Sequence, residues 1–280
     1  SLRCFWCHNP ETLHMGSVLR YVDSRCIHCG MCTAVCREIS GLDSLYSPED
    51  LVKYAGSQKT CAECIRCTNL CPAGAITFTG RKYGADELIP LLLADRDYYA
   101  GSGGGVTFSG GEPLLQAEGL SYVMDRLKAE GISIAVDTAG NVPWEAFQKV
   151  LKKTDLFLFD IKTADSKLHR KVTGSSNGLI LENLGKLYRA GAAVRIRIPL
   201  IPGVNTSPKE QEKISEILYA YPGVEEVELL PFHRTALSKY RQLGMEYQAA
   251  GLEPPDSLTL QQIERDMKQR LSVPVICRGL

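Results

Sequence analysis

Residues 26–36, CIHCGMCTAVC, and residues 61–72, CAECIRCTNLCP, carry eight of the eleven cysteines of this chain. Each stretch has the spacing CxxCxxCxxxC, in which three thiolates bind one iron–sulfur cubane and the fourth crosses to a second cubane. Zinc is the alternative, but a structural zinc site takes four ligands, commonly as two CxxC pairs, and does not require this repeat. The spacing therefore predicts two four-iron, four-sulfur clusters, with the ligands Cys26, Cys29, Cys32, Cys36, Cys61, Cys64, Cys67 and Cys71.

The segment that carries these cysteines differs from the sequence after it. Residues 22–79 lack a regular alternation of strand and helix patterns, and polar or glycine-containing stretches bound them on each side. Such boundaries are typical of separate domains. We therefore expect a bacterial ferredoxin-like two-cluster domain over residues 22–79, inserted into a larger domain that comprises residues 1–21 and 80–280.

The overall composition is that of a globular chain of 280 residues, with 32 acidic and 32 basic side chains. This balance provides no overall field that would attract nucleic acid or an anionic membrane. We also expect neither a signal peptide nor a membrane span. Because the cysteines follow ligand spacing instead of a disulfide framework, a reducing cytoplasm is the expected location. Cys277 lies outside the cluster pattern and is predicted to be a small apolar residue of a terminal strand.

The sequence after the cysteine segment alternates between β-branched or aromatic stretches and segments of helical period. Pro143 is predicted to open one helix, Ser207 with Glu210 to form the capping box of another, and Thr259 with Gln262 to start the last. Strands alternating with helices form a parallel sheet, either open and doubly wound or closed towards a barrel. We expect an α/β fold with a partial parallel (β/α)6 TIM-like barrel, whose strands include residues 106–108, 132–136, 156–162, 194–201 and 224–230.

Polar residues stand at or near the carboxyl ends of these predicted strands, which is the rim where parallel barrels collect their reactive groups. Each has an ordinary structural alternative, such as a glycine turn, a helix cap or an ion pair. Together on one rim they predict a ligand pocket. Carboxylates suit an ammonium group or a cation, and lysine or arginine suits a carboxylate, so an amino-acid-like ligand fits. The residues are Ser109, Gly110, Gly111, Glu112, Pro113, Asp137, Thr138, Asp160, Lys162, Arg197 and His233.

The amino end adds Cys4 and Cys7. Together with the motifs on the rim, the residues around Cys4 and Cys7 resemble those of the radical S-adenosylmethionine enzymes that activate glycyl radical enzymes, in the subgroup with a two-cluster ferredoxin insert. The resemblance covers nearly the whole chain. Cys4 and Cys7 match the second and third cysteines of the family motif CxxxCxxC. The first cysteine and the first barrel strand of the family would precede Ser1, and a chain without that cysteine is expected to hold its cluster weakly or not at all. The motifs are Cys4, Cys7, His8 and Asn9, then Gly110–Pro113, Asp137–Thr138, Asp160–Lys162 and Leu230–His233.

The resemblance implies an oxidoreductase that reductively cleaves S-adenosylmethionine to a 5′-deoxyadenosyl radical. That radical abstracts a glycine α-hydrogen from a partner glycyl radical enzyme. The resemblance also implies three 4Fe–4S clusters, one for S-adenosylmethionine on Cys4 and Cys7 and two in the insert. It implies ferredoxin or flavodoxin as the electron donor. The implied cofactor-binding residues are Trp6, His8 and Asn9 on the adenine side, Gly110, Gly111, Glu112 and Lys162 on the methionine side, and Asp137, Arg197 and His233 around them.

Several implied roles have alternatives. Asp137, Thr138 and Asp160 match a monovalent cation site of the family, but the same carboxylates could pair with Lys162 or Arg197. Trp6 could equally be a core residue. The insert clusters could relay electrons or only build a docking surface. For the whole chain, the other functions are a radical enzyme acting on another peptide or small molecule, and an inactive iron–sulfur carrier fragment. A monomer that engages its partner transiently is expected, without nucleic acid or membrane.

Overall fold

The computed structural model describes residues 2–57 and 64–278, so the predicted ligand Cys61 lies outside the described residues. The chain divides into two compact units. The sheet unit comprises Ser1–Phe5, Tyr83–Arg234 and Gly251–Leu280, and the cysteine unit comprises Trp6–Lys82 and Thr235–Ala250. The predicted ferredoxin-like segment 22–79 falls within the range of the cysteine unit, which also takes in residues from both flanks and from near the carboxyl end.

The regular elements are numbered in chain order. The strands are β1 Val18–Tyr21, β2 Ile76–Thr79, β3 Gly105–Phe108, β4 Ser133–Thr138, β5 Leu156–Asp160, β6 Val194–Leu200, β7 Glu226–Pro231 and β8 Val275–Cys277. The helices are α1 Met31–Ser40, α2 Pro48–Ser57, α3 Arg66–Leu70, α4 Ala85–Leu93, α5 Arg96–Ser102, α6 Ala117–Ala129, α7 Trp144–Val150, α8 Ser166–Thr173, α9 Gly178–Arg189, α10 Pro208–Tyr219, α11 Ala236–Gln242 and α12 Ser257–Arg270. Within the described ranges, the helices are too short or too polar to span a bilayer.

The sheet unit contains a six-stranded parallel sheet whose spatial order, β3 to β8, follows the chain. Neighbouring strands joined by helices in unbroken order are the winding of a barrel, whereas a doubly wound sheet would reverse its order once. The α/β class and the parallel sheet are thus confirmed, and the winding is consistent with a partial barrel. Cys277 lies buried in the terminal strand β8, as predicted.

The two faces of this sheet differ in burial. Side chains such as Ile134, Phe157 and Ile196 are fully buried among helices, and each stabilises the fold by roughly 1.5–3 kcal/mol. The alternate residues along the strands are partly exposed and include Asp137 and Arg197. Because side chains alternate along a strand, the sequence that fills the core also aims these charges at the opposite face.

Several predicted element ends need correction. The last helix starts at Ser257, not at Thr259, because Asp256 is its N-cap and accepts from the Thr259 N–H at 2.7 Å. The strand predicted over 156–162 ends at Asp160, which leaves Lys162 in the following loop. The Ser207 hydroxyl caps α10 as expected, at 3.3 Å from the Glu210 N–H. The Glu210 side chain, however, bonds to a different loop instead of completing the capping box.

The cysteine unit is organised around the antiparallel pair of β1 and β2. Their pairing continues in the hydrogen bond from the Val22 N–H to the Ala75 carbonyl at 2.8 Å, which brings the two ends of the cysteine segment together. The small core beneath this ribbon contains apolar side chains and two of the predicted ligands. It consists of Leu19, Tyr21, Cys32, Leu51, Val52, Cys67, Ala75 and Ile76.

Candidate active site and cysteine pocket

Asp137 and Arg197 form the centre of the polar rim in the sheet unit. They lie on β4 and β6, on either side of β5, and the Arg197 Nη1 donates to Asp137 Oδ2 at 2.9 Å. The Ser109 hydroxyl donates to the same carboxylate oxygen at 2.9 Å. Burial raises the pKa of Asp137 and the charge of Asp160 raises it further, against the opposing effect of Arg197. Ser109, Asp137 and Arg197 therefore meet as the strand-end pattern predicted.

Glu112 is a buried carboxylate, 6% exposed, that joins the glycine loop to the end of β4. It accepts from the Thr138 hydroxyl at 2.8 Å, from the Ala139 N–H at 3.1 Å and from the Leu114 N–H at 3.3 Å. Burial raises the pKa of Glu112, and these hydrogen bonds oppose the shift. Gly110 has a φ of 129°, a backbone conformation that favours glycine. These three backbone or hydroxyl partners fix the position of the Glu112 carboxylate, and the bond from the Leu114 N–H also makes Glu112 the N-cap of the short helix that follows.

Lys162 lies just beyond β5, with its side chain 10% exposed and its Nζ 2.8 Å from Asp160 Oδ2. Burial disfavours the protonated form of Lys162 and acts to lower its pKa. The negative charges of Asp160, Cys4 and Asp137 outweigh burial, so the pKa of Lys162 is raised. Cys4 is held beside this region by its neighbours in the chain: the Arg3 N–H donates to the Thr173 carbonyl at 2.7 Å, and the Phe5 N–H to the Val172 carbonyl at 3.1 Å. Lys162 therefore stays protonated, and Cys4 is among the groups whose charge favours this form.

The carboxylates of the predicted cation site are engaged in ion pairs: Asp137 with Arg197, and Asp160 with Lys162. This is the alternative that the sequence left open. Over residues 2–57 and 64–278, no three Cys, His, Asp or Glu side chains converge on a single point as ligands of one ion do. His233 follows β7 and is exposed. Its role, like that of the cation site, stays a prediction.

The loop after Cys4 belongs to the cysteine unit, where a segment near the carboxyl end holds it. Lys239 Nζ donates to Asn9 Oδ1 at 2.7 Å, and the Tyr247 hydroxyl donates to the Trp6 carbonyl at 3.3 Å. Trp6 is 5% exposed, which fits its alternative as a core residue. Burial, together with the charge of Cys7, raises the pKa of Tyr247 to about 12. Sequence reasoning missed Lys239 and Tyr247, because contacts more than 200 residues apart leave no local signal.

Four predicted cluster ligands line one pocket of about 250 Å³: Cys26, Cys29, Cys32 and Cys71. This set contains three cysteines of the first run and the last cysteine of the second run, which is the crossed grouping that the spacing predicts. Backbone amides point at two of the sulfurs, from His28 to Cys26 Sγ at 3.4 Å and from Ala75 to Cys71 Sγ at 3.2 Å. Such bonds suit thiolates.

The second group of cysteines is described in part. Cys67 is buried, and the charge of Cys64 contributes, after burial, to a raised pKa of Cys36. The charge of Cys64 therefore acts on Cys36, although the two cysteines come from different runs. In the described residues, no three ligands converge on one point as they would around a single ion. Both cysteine clusters are compatible with this, because the four thiolates of a cubane each bind a different iron and therefore stand around the cluster.

The two cysteine runs share a backbone conformation. In each, the residue after the second cysteine is left-handed and caps a helix: Gly30 has a φ of 71° before α1, and Ile65 has a φ of 43° before α3. The third cysteine, Cys32 or Cys67, then occupies the second position of that helix. A positive φ is strained for a β-branched residue, and such strain is typical of ligand-binding loops.

Known proteins that are similar to this chain indicate its family. Residues 1–211 match the family model described as the radical SAM superfamily. The choline trimethylamine-lyase activating enzyme of Oleidesulfovibrio alaskensis is 36% identical over 94% of this chain and 85% of its own length. The trans-4-hydroxy-L-proline dehydratase activating enzyme of Clostridioides difficile is 36% identical over 94% and 86%.

Two further relatives are named for pyruvate formate-lyases. The pyruvate formate-lyase 2-activating enzyme of Escherichia coli is 31% identical over 99% of this chain and 83% of its own length. A solved domain of a pyruvate-formate lyase-activating enzyme from Bacteroides vulgatus has 32% identity and a TM-score of 0.53, and covers 63% of this chain and 99% of its own. The chain therefore belongs to the radical SAM superfamily and, within it, to the activating enzymes of glycyl radical enzymes.

Proposed function

We propose that this chain reductively cleaves S-adenosylmethionine and thereby abstracts an α-hydrogen from a glycine of a partner glycyl radical enzyme. One observation carries the proposal: the sheet unit collects Glu112, Asp137, Arg197 and the Lys162–Asp160 pair at one rim. Family membership supplies the reaction class, and this rim supplies the groups that an amino-acid-like cofactor requires.

The donor set fits the cofactor. The carboxylate of Glu112 suits an ammonium group, the cation of Lys162 suits a carboxylate, and the Gly110–Gly111 backbone allows close approach. Cys4 and Cys7 have the thiolate chemistry that an iron–sulfur cluster needs. When bound to that cluster, S-adenosylmethionine supplies the 5′-deoxyadenosyl radical. The protein itself orients the methionine portion, and Asp160 keeps Lys162 charged and directed.

For the cysteine unit we propose a ferredoxin-like pair of clusters, one on Cys26, Cys29, Cys32 and Cys71 and one on Cys36, Cys61, Cys64 and Cys67. Together with the cluster on Cys4 and Cys7 this makes three 4Fe–4S clusters. The pocket lined by four cysteines supports the first. The pair would relay electrons from a ferredoxin or flavodoxin, the alternative being a docking surface. Unchanged turnover of the Cys29→Ser and Cys64→Ser variants with a physiological reductant would exclude the relay.

The remaining proposals concern surroundings. Asp137, Thr138 and Asp160 would hold a monovalent cation only if Asp137 exchanged its contact with Arg197 for the ion. Turnover that is independent of added Na⁺ or K⁺ would exclude this site.

We also propose that the chain is a monomer, because it needs to engage its partner only transiently. The proposed location is an anaerobic cytoplasm. Light scattering that shows a stable dimer would overturn the monomer.

The test compares two lysine variants of the anaerobically reconstituted full-length protein. Lys162→Met removes the charge from the rim, and Lys167→Met makes the same change at an exposed position of α8. We expect Lys162→Met to lose most 5′-deoxyadenosine formation and Lys167→Met to retain it. Equal effects would contradict the proposed role of the rim.

The same assay separates the alternative functions. A glycyl radical detected on the partner by electron paramagnetic resonance supports an activating enzyme. Formation of 5′-deoxyadenosine without that radical would favour another peptide or small molecule as the substrate. No 5′-deoxyadenosine from protein that holds about twelve irons would favour an electron carrier.

A further inference from the structure

The loop that follows β5, residues 162–165, is held by buried side chains from three other segments. Glu210 on α10, 6% exposed, accepts three hydrogen bonds at a single oxygen, Oε1. The donors are the Thr163 hydroxyl, the Ala164 N–H at 2.7 Å and the Asp165 N–H at 3.2 Å. One carboxylate thus binds three successive residues directly after Lys162.

Two asparagines complete the enclosure. The Asn205 amide, fully buried, donates to the Lys162 carbonyl at 2.7 Å and to the Pro199 carbonyl at 2.7 Å. The Asn177 amide donates to the Thr163 carbonyl at 3.2 Å and to the Ala164 carbonyl at 2.8 Å. The Lys162 carbonyl and the backbone of the next residues are therefore bonded to side chains, so the loop cannot shift without breaking buried bonds.

Burial of Glu210 in this position is unfavourable, because a desolvated carboxylate is destabilised unless hydrogen bonds compensate it fully. Its compensation is the three donors and the amino end of α10. Its sequence position suits it to cap its own helix, but its side chain reaches the other loop instead. A helix cap alone does not require this arrangement, whereas fixing the backbone that carries Lys162 does.

We propose that Glu210 is a positioning residue for S-adenosylmethionine binding, which acts through the loop 162–165 to direct Lys162 at the carboxylate of the cofactor. The proposal rests on the proposed function, in which Lys162 contacts the methionine portion. Asp160 holds the tip of the Lys162 side chain at 2.8 Å, and Glu210 with Asn205 holds its base. The Lys162 side chain is thereby fixed at both ends.

The test is the Glu210→Gln variant of the anaerobically reconstituted full-length protein. Glutamine keeps the shape and one acceptor oxygen but removes the charge, and charge-assisted hydrogen bonds are about twice as strong as neutral ones. We expect the Kd for S-adenosylmethionine to rise about fivefold, and the Kd for 5′-deoxyadenosine, which lacks the methionine portion, to stay unchanged. Glu212→Gln, the same change on an exposed residue of the same helix, is the control and should alter neither.

A double-mutant cycle with Lys162→Met decides whether Glu210 acts through Lys162. Positioning predicts that Glu210→Gln changes the Kd less than about 1.5-fold once Lys162 is absent. An equal fivefold effect in both backgrounds, an equal loss of 5′-deoxyadenosine affinity, or no effect in either background would overturn the proposal. If the unsubstituted protein binds S-adenosylmethionine no better than Lys162→Met does, the proposed function of Lys162 fails instead, which is a separate result.

Discussion

The crossed grouping of the cysteines leads to a test with two matched double variants. Cys32→Ala with Cys71→Ala removes two ligands from the same pocket. Cys32→Ala with Cys36→Ala removes one ligand from each proposed cluster. Both variants lack Cys32 and one further cysteine, so they differ only in how the structure groups their ligands. Alanine is chosen because serine could still offer an oxygen ligand.

The expected magnitude follows from the pocket. If Cys26, Cys29, Cys32 and Cys71 share one cubane, Cys32→Ala with Cys71→Ala loses about four irons and leaves the other insert cluster intact. Cys32→Ala with Cys36→Ala removes one thiolate from each insert cluster and leaves neither with its four cysteine ligands. If each run instead filled its own cluster, the two outcomes would be exchanged.

The assay is iron analysis combined with Mössbauer spectroscopy of anaerobically reconstituted protein, which counts intact cubanes directly. One insert cubane with all four cysteine ligands in the Cys32/Cys71 variant and none in the Cys32/Cys36 variant is the predicted result. The reverse pattern would refute the crossed grouping, and a protein without any cubane before substitution would refute the ferredoxin-like unit itself.

Three further predictions concern single residues. Thr138→Val removes the hydroxyl bonded to Glu112, so urea denaturation should show a free energy of unfolding lower by about 1–3 kcal/mol. Tyr247→Phe removes the bond to the Trp6 carbonyl, and the same measurement should show a loss of about 1 kcal/mol; no loss would refute the role of that bond. Burial lowers the pKa of His169 below 6.5, so the unfolded chain binds more protons and stability falls as the pH drops below 6.5. The fall should reach at most about 1.4 kcal/mol near pH 5.5 and should disappear in His169→Gln.

The sheet could be predicted because its signal is local. Stretches such as Ile132–Val136 and Leu156–Asp160 are rich in β-branched or aromatic residues, and glycine, proline or polar residues separate them from the helical stretches. The ends of the helices and strands depend on more than this local signal. Asp256 and Thr259 are both good N-caps, and only the tertiary position of the chain decides between them.

The site could be predicted as a set of residues but not as a set of contacts. The rule for strand ends places Asp137 and Arg197 on one rim, but it does not say that they pair with each other across 60 residues of sequence. Glu210 shows the same limit more clearly. Its local pattern predicts a capping box, and a bond to a loop 46 residues away takes precedence because three unsatisfied donors in that loop would cost more.

The central claim, hydrogen abstraction from glycine, is tested most directly by isotope transfer. Anaerobically reconstituted protein is reduced and mixed with S-adenosylmethionine and a peptide that contains the target glycine of the partner enzyme, deuterated at the glycine α-carbon. The account predicts deuterium in the 5′-deoxyadenosine, measured by mass spectrometry. The experiment is repeated with an intact partner protein that carries the same deuterium. Unlabelled 5′-deoxyadenosine, formed at the same rate with and without this partner, would contradict hydrogen abstraction from glycine.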